Sequence, residues 1–307
     1  MNRRKDLLGI EGLTEKEIMQ YLNLAEKFAG VLERPIPIVP SLRGKTILTL
    51  FFEPSTRTQI SFSIAAKRLS ADILNFSRST SSVTKGETLL DTAKNIEAMK
   101  VDGVVVRHPA PGAAKFLGEH LAAFVINAGD GAHEHPTQAL LDLMTIKQYF
   151  GGFKNLKVLI VGDIAHSRVA RSNIFGLKIL GAQVGLCAPP TLIPLDVKKL
   201  GVDVFYKLDD AIGDFDVVMA LRLQLERQEA GLFPSIREYR ELYGLTKERV
   251  QKMKPKGIIM HPGPTNRGVE IDPDVADSDR SVILNQVKNG VATRMAVLFI
   301  HSGGRIV

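Results

Sequence analysis

Between residues 49 and 69 the chain reads TLFFEPSTRTQISFSIAAKRL, and Ser55, Thr56, Arg57 and Thr58 stand together where an apolar strand gives way to an apolar-periodic helix. A helix N-terminus presents backbone N–H groups with no helical acceptor, along with the positive end of the helix dipole, so it favours an anion. Hydroxyls add neutral donors, and a guanidinium adds a planar fork that matches phosphate oxygens. Taken singly, Ser55 or Thr56 is an N-cap and Arg57 a solvated charge. Four such groups within one turn of a strand end point instead to a phosphate cradle.

Other strand ends carry related chemistry. GVVVRHPAPG sets Arg107 and His108 just after an apolar strand, and INAGDGAHEHPTQALLDL sets His133, His135, Thr137 and Gln138 at the start of a helix whose N1 position suits Pro136. A histidine at that cap can hydrogen-bond an acyl oxygen, and a glutamine amide can both donate and accept. On spacing alone, ordinary cap and helix-surface roles describe His135 and Gln138 equally well. His133 reads as a loop histidine. A zinc site from His133 and His135 lacks enough further ligands. In the second half, VLIVGDIAHSRVARSNIFGL has only Gly162 where a dinucleotide turn requires three glycines, so a nicotinamide cofactor is not expected. That turn offers Arg168 and Arg171, and VVMALRLQLERQ offers Arg222, Gln224 and Arg227. Arginines at strand ends suit carboxylates. Arg168 and Arg222 stand out because both follow buried strands of the same half.

The elements that position these groups alternate. Strands are expected at 45–52, 72–76, 103–107 and 123–127, with helices near 14–32, 56–69, 87–99, 112–120 and 136–149. After GGFKN the pattern resumes with strands in LKVLIVGD, AQVGLC, residues 202–205, FDVVMAL and GIIMHPG, and it closes with a long helix. This predicts an α/β protein of two domains, each a parallel sheet flanked by helices, with a site in the cleft between them. The net charge of +7 comes from basic residues spread along the chain, and only 6% of residues are aromatic. That disfavours a nucleic-acid platform and makes small anions the better reading. One cysteine, Cys187, excludes a disulfide framework and suits a reducing compartment. The N-terminus is too charged for a signal peptide and no apolar run nears the roughly 20 residues of a membrane helix, so a cytoplasmic protein is expected.

The motifs FFEPSTRTQISF, SSVTKGETLLDT, VVVRHP, INAGDGAHEHPTQALLDL, VGDIAHSRVARS, MALRLQLER and MHPGPTNRGVEI occur together and in order. In this the chain resembles the aspartate carbamoyltransferase catalytic chain over essentially its whole length. The resemblance implies transfer of a carbamoyl group from carbamoyl phosphate to L-aspartate in pyrimidine biosynthesis, with no metal, cofactor or covalent intermediate. It implies a carbamoyl phosphate domain at 1–140, an aspartate domain at 141–287 and a C-terminal helix at 288–307 packing on the first. Ser55, Thr56, Arg57 and Thr58 would hold the phosphate, Arg107 would span phosphate and carbonyl oxygen, His135 would donate to that oxygen, and Gln138 would hold the amino group. Backbone carbonyls at Gly263 and Pro264 would meet substrate amines, in a stretch reading HPGP where family members often have Leu-Pro. Arg168, Arg222 and Gln224 would grip the aspartate carboxylates. Ser81 and Lys85 would reach the site of a neighbouring subunit in a homotrimer, and that trimer could join a regulatory chain or a dihydroorotase. An ornithine carbamoyltransferase and a silent phosphometabolite-binding subunit are the rival readings; the second-carboxylate groups disfavour the former, and the full set of groups the latter.

Overall fold

The structure is a computed structural model in which residues 5–77, 87–223 and 235–304 are described. The chain forms two compact units, Met1–Met144 with Lys288–Val307, and Thr145–Val287.

The first unit begins with α1 (Glu15–Leu32). Its N-cap Thr14 accepts from the Glu17 N–H while the Glu17 carboxylate accepts from the Thr14 N–H, a reciprocal cap legible in the T-E-K-E spacing. There follow β1 (Thr46–Phe51), α2 (Thr56–Arg68), β2 (Asp72–Ser77), α3 (Leu89–Ala98), β3 (Gly103–His108), α4 (Ala113–His120) and β4 (Phe124–Asp130). The four strands are parallel, in the order β2-β1-β3-β4. A parallel sheet is covered on both faces, which is why its inner strands are apolar without alternation; every residue of β4 is buried. Leu50, Val104, Val106 and Val125 from the strands pack with Ile96 of α3 and Leu117 of α4 in one core. From β1 the chain winds one way to β2 and the other way through β3 to β4, so the direction of winding reverses between β1 and β3.

After α5 (Pro136–Phe150), the second unit contains β5 (Lys157–Val161), α6 (Arg168–Ile179), β6 (Gln183–Cys187), β7 (Asp203–Phe205), α7 (Leu208–Ala211), β8 (Val217–Ala220), α8 (Ile236–Tyr243), α9 (Lys247–Gln251), β9 (Ile258–Met260) and α10 (Pro273–Ala276). Its five parallel strands lie in the order β7-β6-β5-β8-β9, and the reversal falls between β5 and β8. The last helix, α11 (Ile283–His301), belongs from Lys288 onward to the first unit. There Lys288 pairs with Glu33 at 2.7 Å and His301 Nε2 meets the Tyr21 hydroxyl at 2.8 Å. The two-domain, parallel-sheet architecture expected from the alternation of elements is therefore present. Among the described residues no helix is long and apolar enough to cross a membrane.

Candidate active site

At the carboxyl end of β1 the chain passes Glu53 and enters α2 with Ser55 as N-cap. Ser55 makes no side-chain capping bond and the first turn holds no acidic residue, so nothing within the helix neutralises its positive end. Thr56 and Arg57 are exposed there and Thr58 is buried. β3 runs beside β1 with Phe51 opposite Arg107. The Arg107 Nε lies 3.3 Å from Glu53 Oε2, and its Nη1 donates to the Ala128 carbonyl at 3.4 Å, so the guanidinium is held between the ends of β1 and β4. The β4 strand feeds a loop ending at His135, whose carbonyl accepts from the Gln138 and Ala139 N–H groups at the head of α5. His135 and Gln138 are both buried. Groups from three adjacent strand ends thus converge beside the reversal between β1 and β3, the place where an open parallel sheet binds its ligand.

Several residues of this region escaped the sequence reading. Asp130 accepts from Asn127 Nδ2 at 2.8 Å, the Glu134 N–H at 3.1 Å and the Gly112 N–H at 2.8 Å, tying the loop before His135 to the head of α4. The Glu134 carboxylate accepts from the N–H groups of Ile10 and Glu11. Gln138 Nε2 donates to Asp142 Oδ1 at 3.0 Å. The available signal was polarity: INAGD puts Asn127 and Asp130 in a strand that is otherwise apolar, and a buried polar group implies a partner. His133 does not join His135. It lies with Glu11 and Glu134, their ligand-type atoms within 4.8 Å of one another, but the Glu134 oxygens already serve backbone donors and the cluster reads as a loop staple. Ser81 and Lys85 lie outside the described residues.

In the second unit, α6 opens with Ser167 accepting from the Ala170 N–H at 3.1 Å, and Arg168 is its first residue, buried. Arg222 stands half-buried two residues past β8, which pairs directly with β5. The two arginines therefore flank the second reversal. Gln224 and Arg227 lie outside the described residues. Arg171 is exposed, its guanidinium 5.5 Å from the Phe175 ring centroid, a surface role. The Asp163 carboxylate receives His166 Nδ1 at 2.8 Å and the His166 N–H at 3.2 Å, bracing the loop before α6. Gly162 has φ +124°, and a Cβ there would meet the Tyr239 hydroxyl at 3.0 Å and the Leu221 carbonyl at 3.1 Å. Protein thus fills the turn where a pyrophosphate would have to approach. Past β9, buried His261 accepts the Gly263 N–H on Nδ1 at 2.8 Å, so its Nε2 is the nitrogen that donates to Glu270 Oε1 at 3.1 Å. Gly263 has φ +68°, a conformation in which leucine would be strained, and this accounts for glycine in the HPGP stretch. Gly263 and Pro264 belong to this unit. Cys187 is buried at the end of β6, and burial pushes its thiol up to about 12, which makes it inert.

Residues 5–148 match the family described as aspartate/ornithine carbamoyltransferase, carbamoyl-P binding domain, and residues 154–301 match its Asp/Orn binding domain. The aspartate carbamoyltransferase catalytic subunit of Halothermothrix orenii is 58% identical over 304 residues, covering 99% of this chain and 97% of that one. The solved structure of Trypanosoma cruzi aspartate transcarbamoylase in complex with carbamoyl phosphate and aspartate is similar with a TM-score of 0.87 at 29% identity, covering 97% and 96% of the two chains. Ornithine carbamoyltransferase from Pyrococcus furiosus is similar with a TM-score of 0.86 at 30% identity, covering 98% of each. Backbone likeness thus does not separate the two activities, whereas the much higher sequence identity falls on the aspartate side.

Proposed function

The chain belongs to the aspartate/ornithine carbamoyltransferase family, and from that membership we infer how its residues carry the reaction. It transfers the carbamoyl group of carbamoyl phosphate to the amino group of L-aspartate, giving N-carbamoyl-L-aspartate and phosphate, a step of pyrimidine biosynthesis. The observation that carries the site assignment is the convergence of a helix N-terminus, Arg57, Arg107, His135 and Gln138 at three neighbouring strand ends.

In this reading the α2 N–H groups, with Ser55, Thr56, Arg57 and Thr58, bind the phosphate. Arg107 spans phosphate and carbonyl oxygen, His135 donates to that oxygen, and Gln138 holds the carbamoyl amino group. Arg168 and Arg222, with Gln224, take the two aspartate carboxylates, and Gly263 and Pro264 offer backbone carbonyls to substrate amines. The neutral aspartate amine attacks the carbamoyl carbon, negative charge grows on the carbonyl oxygen, and Arg107, His135 and Thr56 stabilise it. As the C–O bond to phosphate breaks, the phosphate takes up the amine proton and leaves as the dianion, its charge offset by Arg57 and Lys85. Holding two anions in register removes much of the barrier, since orientation of two reactants is worth roughly 7–11 kcal/mol.

A homotrimer with Ser81 and Lys85 contributed by a neighbouring subunit is part of the proposal. It is supported by apolar side chains uncovered on one region of the first unit: Ile36 and Ile38, Ile60 and Ile64 on α2, and Leu74 on the edge strand β2. Val39 N–H donates to the Arg68 carbonyl and Ser63 Oγ to Asn75, so these segments are neighbours. The reducing cytoplasm suits a chain whose single cysteine is a buried thiol. Phosphate release from carbamoyl phosphate tests the activity: it should require aspartate and be absent with ornithine, and equal turnover with ornithine would overturn the assignment of Arg222.

A further inference from the structure

We propose that Asp142 sets the orientation of the Gln138 side-chain amide and thereby makes the donor site select a carbamoyl group over an acetyl group. The proposal deepens the role given above to Gln138 and rests on it. Gln138 and Asp142 are four residues apart on α5, one above the other on the same helix face. The bond from Gln138 Nε2 to Asp142 Oδ1 is 3.0 Å long and buried, and Asp142 has no exposed surface. An ionised carboxylate only accepts, so the amide must turn its NH2 toward Asp142; the opposite orientation would set two acceptors face to face. Oε1 is then the end of the amide presented to a ligand. That acceptor matches the NH2 of a carbamoyl group. The methyl of an acetyl group would leave it unsatisfied in a buried place, which is how a polar site rejects an analogue lacking its donor.

Arg294 of α11 adds a buried cation whose attraction reaches Asp142. The Arg294 guanidinium is buried, its Nη1 donates to Ser61 Oγ and to the Gly290 carbonyl at 3.0 Å each, and it lies 5.2 Å from the Phe62 ring centroid. Burial lowers its pKa to about 10 while attraction to Asp142 acts in the other direction, so it remains a cation at neutral pH. Helix α5 therefore carries a fully buried acceptor one turn on from Gln138, in hydrogen-bond contact with its amide. In the plain alternative, the pair is one more i,i+4 contact that steadies the helix.

The two readings separate on donor preference, the ratio of kcat/KM for carbamoyl phosphate to that for acetyl phosphate, measured with aspartate on the full-length enzyme. Asp142→Asn puts a donor under Gln138, allows the amide to turn round, and should lower the preference about tenfold, the worth of one net hydrogen bond at the upper end. The combined Gln138→Glu and Asp142→Asn variant keeps the total charge beside Arg294 and again directs an acceptor oxygen at the ligand, so the preference should return to within about threefold of the parent. Gln138→Ala that leaves the preference unchanged would refute the role of Gln138 itself. A lowered preference in Gln138→Ala together with an undiminished one in folded Asp142→Asn, or with no recovery in the combined variant, overturns the role of Asp142 alone. If Asp142→Asn does not fold, the combined variant decides. On the unaltered enzyme the Gln138 side-chain NH2 protons should be protected from solvent exchange before any donor is added, and exchange as fast as that of a surface glutamine would also overturn the proposal.

Discussion

Arg57 and Arg294 carry the same charge to different ends. Arg57 is exposed at the head of α2, where a ligand can reach it, whereas Arg294 is buried against Ser61, Phe62 and Gly290 and acts on other side chains. The first kind of residue is legible in a sequence because its neighbours along the chain announce it: three hydroxyls and a helix start. The second is not, because Ser61 and Phe62, which hold its guanidinium along with Gly290, lie far away along the chain on another helix. Glu53 is likewise hidden, since its carboxylate faces Arg107 on a different strand end. If the site residues act as proposed, Arg57→Ala and His135→Ala should each lower kcat/KM roughly 10²–10³-fold, the loss typical of one preorganised donor to a developing charge. Arg57→Ala should leave the thermal midpoint nearly unchanged, since Arg57 is solvent-facing, whereas His135→Ala should also lower it, since His135 is buried. Steady-state kinetics beside calorimetry checks both statements.

The elements themselves were legible nearly throughout, because caps and periodicities act within a turn or two. Thr14 and Glu17 close a cap on each other, and Ser167, Ser235 and Thr246 each accept from the N–H three residues on. Less legible was why some links take the form they do. Gly162, which looked like a fragment of a dinucleotide turn, is glycine because its backbone is at φ +124° and Tyr239 and Leu221 close over it. Gly162→Ala should cost about 1–3 kcal/mol, read as a lowered denaturation midpoint in urea. Between elements, Asp209 of α7 receives Arg249 Nη2 at 2.9 Å and Lys252 Nζ at 2.7 Å, and Arg249 also donates to the carbonyls of Glu241 and Gly244 at the end of α8. The hydrogen bonds from Arg249 and Lys252 hold the Asp209 carboxyl below its ordinary value of 3.8. A carboxylate depressed by folding stabilises above the unfolded pKa, and that contribution disappears as the pH falls through the folded one. Asp209→Asn should therefore lower stability at pH 7, and the gap between variant and parent should close below pH 3.8. Urea titrations at both pH values measure it.

At the scale of the whole molecule, assembly is where the proposal is most exposed to test. Sedimentation should give a particle three times the 33.7 kDa chain mass. Lys85→Ala and His135→Ala chains, each strongly impaired alone, should regain activity when dissociated and reassembled together, because a hybrid trimer then holds a site whose histidine comes from the Lys85→Ala chain and whose lysine comes from the His135→Ala chain; mixtures as impaired as their parents would rule out sharing. By itself the sequence determined the α/β alternation, the two-domain division into parallel sheets and the charged and hydroxyl groups at strand ends, because helix caps, strand periodicity and anion-binding helix starts are local matters of residue order. Only tertiary structure decided which strand ends are neighbours. The orders β2-β1-β3-β4 and β7-β6-β5-β8-β9 make neighbours of the strand ends that lead to Arg57 and Arg107, and of those that lead to Arg168 and Arg222. It also decided the pairing of His261 with Glu270 and the setting of Arg294 against α2, since strand order and buried charge partners follow from how apolar faces pack together, and no spacing along the chain encodes them.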